Sequence, residues 1–130
     1  MKLYREEKIL EEIEKIKKSK ILALVEGKHD FSALRQLGIK NVFVLNKTGV
    51  SIYSQIETLM NSLKEKPKRE RIIAILTDLD KKGKRIYEMI KKEFIKEGIK
   101  VNNELRLALL KQHVSHIEGL PTFLEKIGLK

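Results

Sequence analysis

The amino-acid sequence predicts an α/β fold, with about four mostly parallel strands flanked by helices and a helical C-terminal addition. Two observations carry that expectation. Four short apolar runs, "ILALV" at 21–25, "VFVL" at 42–45, "IIAILT" at 72–77 and "IKV" at 99–101, are continuous rather than alternating, which is the pattern of strands covered on both faces. Between them the apolar residues recur at helical spacing, so helical crossovers connect strands that run in parallel.

Taken in order, Ile9, Leu10, Ile13 and Ile16 form one apolar stripe among Glu and Lys, and residues 1–19 are expected to pack as a helix on the core. The first strand, 21–25, runs into "EGKHD", and a helix from Phe31 stops at Gly38. The second strand, 42–45, leads into the turn "NKTG" at 46–49. Ile52, Ile56, Leu59 and Leu63 mark the next helix, which ends near Pro67 in the basic loop "KEKPKRER". The third strand, 72–77, precedes a helix that carries Ile86, Ile90 and Phe94 and ends at Gly98; 99–101 is a short fourth strand. The core is thus expected over 20–101. In the addition, 102–130, "NELRLALLKQH" reads as a helix, "IEGLP" as a turn and "TFLEKIG" as a closing helical turn or two.

A chain of 130 residues holds one domain with a real core. Its 28 Lys and Arg outnumber 18 Asp and Glu, a formal charge of +10, which favours a polyanionic partner. Nucleic acid comes ahead of an anionic membrane, because no segment presents an aromatic, leucine-rich apolar face. The lack of cysteine excludes disulfides and thiolate metal sites. No apolar run approaches a membrane span, and "MKLYREEKILEE" is too acidic for a signal peptide, so a cytoplasmic protein is expected.

The stretch "IIAILTDLDKKGKR", 72–85, points to chemistry. Asp78 and Asp80, one residue apart on extended backbone, project the same way, and Glu26 directly follows the first strand. Ligands of open parallel sheets bind beyond the carboxyl ends of the strands. If strands one and three are neighbours, these carboxylates converge although 52 residues separate Glu26 from Asp78. A hard divalent ion would relieve their repulsion: Mg²⁺, with Mn²⁺ as a substitute. Lys81, Lys82, Lys84 and Arg85 oppose the dipole of the helix they open, a conflict that phosphates would remove. Plainer roles compete: Asp30 as cap of the helix starting at Phe31, Asp80 as cap of the later one, and the basic residues as solvated side chains. His113 and His116 have zinc-like spacing with Glu118 nearby but lack a third suitably placed ligand, so this segment is read as packing beside the sheet. His29 is read as an exposed loop histidine, and Tyr4, Tyr53 and Tyr87 as ordinary packing or surface residues.

Glu26-Gly27 after one strand, with Lys28 and Asp30, and Asp78-x-Asp80-x-x-Gly83 after another resemble the Toprim domain shared by topoisomerases, bacterial-type primases and certain nucleases. "VEGKHD" is similar to the form seen in small stand-alone Toprim proteins and in the Toprim ribonuclease that matures 5S ribosomal RNA. The resemblance covers roughly 20–101 and implies a Rossmann-like Toprim fold. It further implies Mg²⁺ held by Asp78 and Asp80 beside Glu26, with Glu26 as general acid or base and Asp30 as an additional acid. Gly27 and Gly83 would permit a turn or close approach, and Lys28 would meet phosphate. Asn46, Lys47, Thr48 and Gly49 are expected on the same rim.

The implied reaction is phosphoryl transfer on nucleic acid. A topoisomerase needs a nucleophilic tyrosine on a further domain and a primase needs accessory domains, so a nuclease, or a Toprim module that works with a partner, remains; the resemblance implies an RNA-directed nuclease first. The alternative is a non-catalytic nucleic-acid-binding Toprim module working with a protein partner. A phosphatase of the haloacid-dehalogenase type stands behind both, because it leaves Glu26 unexplained and expects its Asp-x-Asp near the start of the chain.

Overall fold

The structure is a computed structural model and describes residues 2–45 and 49–128, with side chains in the first helix from Glu6 onward. Its helices are α1 (Lys2–Lys18), α2 (Lys28–Gln36), α3 (Ile52–Lys64), α4 (Lys81–Lys96), α5 (Glu104–Lys111) and α6 (Leu120–Lys126). The strands are β1 (Leu22–Val25), β2 (Val42–Val44), β3 (Ile72–Ile75) and β4 (Lys100–Val101). They form one parallel sheet in the order β2-β1-β3-β4. The expected α/β class and the four expected strands are both present, and β1 lies against β3, with Ala23 opposite Ala74.

Side chains alternate across a strand, and that alternation splits the core into two layers. Ala23 and Val25 face one cluster with Ile9, Ile13, Leu105 and Leu109, from α1 and α5. Leu22 and Leu24 face the other, with Ile56, Leu59, Ile90 and Phe94 from α3 and α4. All four residues of β1 are buried, which is why its sequence runs apolar without alternation. The N-terminal helix and the C-terminal helices therefore cover one face, and the crossover helices α3 and α4 the other.

The strands are one or two residues shorter than the apolar runs, β3 ending at Ile75 rather than Thr77, and two helical boundaries also depart from expectation. The helix after β1 begins at Lys28 rather than Phe31, so Asp30 is inside its first turn instead of preceding it. Gly27 takes extended backbone as the N-cap, and Asp30 Oδ2 reaches back to accept its N–H at 3.2 Å, which supports an earlier start. The "IEGLP" turn is a single 3₁₀ turn, Ile117–Gly119, running directly into α6. The expected turn at 46–49 lies largely outside the described residues, as do Asn46, Lys47 and Thr48; Gly49 has φ +84°.

Candidate metal centre and adjoining cavity

The pairing of β1 with β3 brings Glu26 and Asp78 to the same sheet edge. Glu26 Oε2 accepts the backbone N–H of Asp78 at 2.8 Å across 52 residues of chain. Asp80 is the N-cap of α4, with Oδ1 accepting the Gly83 N–H at 2.8 Å, so its capping role and its place beside Asp78 coexist.

Three further elements hold the loop between β3 and α4. Gly83 is buried so close to it that a Cβ would lie 1.9 Å from the Asp78 carbonyl oxygen, and the turn therefore tolerates no side chain there. Gly27 is different: a Cβ would meet only Asp30 Oδ2, at 3.9 Å, an ordinary contact on ordinary extended backbone. Arg106 of α5 is 4% exposed and aims its guanidinium at the loop's carbonyls. Its Nη1 donates to Thr77 O at 2.7 Å and to Ile75 O at 3.3 Å, and Nη2 donates to Asp78 O at 3.1 Å. The same guanidinium lies 4.2 Å from the centre of the Tyr87 ring.

The third element is the segment preceding α6. Leu79 N–H donates to Ser115 O at 2.8 Å, and Ile117 N–H donates to Asp78 Oδ1 at 3.1 Å. Those two bonds bracket His116, whose Nε2 lies 3.6 Å from Asp80 Oδ2 and whose Nδ1 is 3.0 Å from Ser115 Oγ. Asp78, Asp80 and His116 each offer a ligand atom within 4.8 Å of the others. Two carboxylates and an imidazole so placed fit a divalent cation. His116 thus has a specific neighbour in Asp80, whereas the sequence spacing suggested only packing; its partners lie on a distant loop, outside the local His-x-x-His pattern. Arg106 was also missed, and an arginine inside the apolar run "LRLALL" was its only signal.

Behind these groups lies a cavity of about 340 Å³, reached by Glu26, Asp30, Asp78, Glu118 and Lys82. His29 also lines it, from the first turn of α2 rather than from a loop. Asp30 is buried, and burial pushes its carboxyl up to about 6, with Asp78, Glu26 and Glu118 adding repulsion against the opposing hydrogen bond from Gly27. Lys28, Lys81, Lys82, Lys84 and Arg85 are exposed, and of these only Lys82 lines the cavity.

A profile of the Toprim domain matches residues 21–113. The chain belongs to the Toprim domain family. This match takes in α5 as well as the strands, and it displaces the haloacid-dehalogenase alternative. A UPF0292 protein of Methanocaldococcus jannaschii is 33% identical over 126 residues, spanning 92% of each chain. A UPF0292 protein of Methanosarcina barkeri is 30% identical over 133 residues, covering 99% of this chain and 87% of its own. Among solved structures, a protein from Aquifex aeolicus shares the fold with TM-score 0.68 and 32% identity, over 82% of this chain and 92% of that one. Toprim domains typically bind divalent metals and work with nucleic acid, and this Toprim chain carries a cluster of that chemical kind. Among the described residues no helix is long and apolar enough to cross a membrane.

Proposed function

We propose that this Toprim protein is a cytoplasmic, Mg²⁺-dependent phosphoryl-transfer enzyme acting on nucleic acid, and specifically an RNA-directed nuclease. The observation that carries the reading is the gathering of Asp78, Asp80 and His116 within coordination distance, next to Glu26, at the carboxyl edge of a parallel sheet. Asp78 and Asp80 are the metal ligands, with Glu26 adjacent and Mn²⁺ an effective substitute. A bound ion there would neutralise charge on a phosphate. Glu26 accepts or returns the proton of the attacking group, and Asp30 is the additional acid. Lys28, Lys81, Lys82, Lys84 and Arg85 hold the phosphates of the strand. The likeness of "VEGKHD" to an RNA-maturing Toprim enzyme favours RNA over DNA.

One observation favours the alternative of a non-catalytic module working with a protein partner: a Glu26 oxygen is already engaged by the Asp78 N–H, a structural duty that would preserve the residue without catalysis. One experiment separates the two. Metal binding is followed by titration calorimetry on the wild type and on Asp78→Asn/Asp80→Asn, while structured RNA and single-stranded DNA are incubated with each. Asn caps helices as well as Asp does, so α4 is retained and only the charges are lost. The nuclease reading expects metal binding and cleavage by the wild type, both abolished in the variant. Binding of nucleic acid without metal and without cleavage would select the module.

A further inference from the structure

The cavity beside the carboxylates has a second half that metal chemistry leaves unused. Part of its lining is apolar, built by Leu45 after β2, Val50 just before α3, Ile52 at the start of α3, and Ile86 of α4. Val50 and Ile52 are 47% and 36% exposed, and the neighbouring Tyr53 is 67% exposed, so apolar side chains crowd the mouth of a strongly charged protein. Gln55 also lines the cavity and is 5% exposed. Its Nε2 donates to Val50 O at 3.0 Å, while its buried Oε1 accepts no hydrogen bond from the described residues. Buried acceptors are almost always satisfied, and a small turn of this side chain would bring Oε1 to a donor bound in the cavity.

The polar half narrows the ligand's chemistry. Among the described residues of the lining, the carboxyl groups of Glu26, Asp30, Asp78 and Glu118 outnumber the basic side chains of Lys82 and His29, so a free anion is repelled while an N–H edge finds acceptors. A volume of about 340 Å³ suits one planar heterocycle with its sugar and is too small for a stacked base pair.

We infer that the cavity seats a single unpaired nucleobase of the substrate strand, its faces against Val50, Ile52 and Ile86 and its amino edge toward Gln55 Oε1 and the carboxylates. The adjoining phosphate then lies toward Asp78, Asp80 and the basic turn of α4. This deepens the proposed function and rests on it: the substrate is single-stranded where it is engaged, because a paired base has no free edge and cannot leave its stack without cost. Adenine and cytosine present an exocyclic amine to these acceptors. Uracil presents one N–H between two carbonyl oxygens, which the carboxylates repel.

The test is fluorescence anisotropy with labelled oligonucleotides of about a dozen nucleotides, in Ca²⁺ to hold binding apart from cleavage. Single-stranded oligo(A), oligo(C) and oligo(U) are compared with a duplex, for the wild type, Ile52→Ala and Gln55→Ala, with thermal melts confirming that each variant folds. The expected result is that oligo(A) and oligo(C) bind about tenfold more tightly than duplex or oligo(U). Ile52→Ala, at an exposed position, reduces single-strand affinity severalfold and leaves duplex affinity unchanged. Gln55→Ala narrows the gap between oligo(A) and oligo(U). Metal-dependent binding that is equal for single strand and duplex overturns the base seat and leaves the proposed function standing. Equal binding of oligo(U) and oligo(A) overturns the edge recognition. Absence of metal-dependent binding to any of the nucleic acids removes the reading on which the inference rests.

Discussion

Asp30 titrates near 6 in the folded protein against 3.8 for an unperturbed side chain, because burial and the Asp78 and Glu26 carboxylates disfavour its charge. The folded state therefore holds that proton more tightly than the unfolded chain does. The resulting stability is fully present below the unfolded value, is lost as pH rises toward about 6, and stays lost above it. Asp30→Asn keeps an acceptor for the Gly27 N–H and removes the charge, so it should be more stable than wild type at neutral pH by on the order of 1–2 kcal/mol. Urea titrations at acid and neutral pH test this, with the gap between the two proteins closing in acid. Gly83 makes a prediction of opposite sign. A methyl group there would lie 1.9 Å from the Asp78 carbonyl oxygen, so Gly83→Ala must displace the loop. It should destabilise by about 2–4 kcal/mol in thermal melts and weaken metal binding in calorimetry. Gly27→Ala, which meets only an ordinary contact, should do much less.

Among the elements, α5 holds the loop between β3 and α4 through Arg106. Its guanidinium satisfies carbonyls of Ile75, Thr77 and Asp78 at once and lies over Tyr87. Arg106→Met leaves those carbonyls unpaired, with an expected loss of about 3 kcal/mol in chemical denaturation. Arg106→Lys should recover little, since a point charge cannot span the fork. This arrangement also explains what the sequence disclosed and what it concealed. The β1 and β3 runs and the stripes of α3 and α4 were legible because burial on two faces, or on one helical face, repeats at short range. The convergence of Glu26 with Asp78 was legible because a parallel sheet places the carboxyl ends of neighbouring strands together. The start of α2 was not, since the Gly27–Asp30 bond competes with simple capping by Asp30. Nor were Arg106 and His116, whose partners come from tertiary docking of the C-terminal segment on the loop.

On the scale of the whole molecule, a formal charge of +10 surrounds a cavity whose polar lining is mostly acidic. The two suit different parts of one ligand: the positive exterior attracts a polyanionic backbone, and the acidic interior rejects phosphate unless a cation accompanies it. Lys81, Lys82 and Lys84 are exposed in the first turn of a helix whose N-terminal dipole they oppose, and Arg85 is exposed just beyond it. If they serve the ligand rather than the fold, neutralising them should move stability and binding in opposite directions. Replacing Lys81, Lys84 and Arg85 by Gln, while keeping the cavity-lining Lys82, should stabilise α4 by a few tenths of a kcal/mol for each of the two first-turn lysines in thermal melts. The same variant should bind single-stranded nucleic acid more weakly. Its slope of log affinity against log salt should be shallower by about 0.7 for each phosphate that is no longer neutralised. An unchanged slope would make these residues an ordinary solvated surface, and the cost to the helix would then have no return in binding.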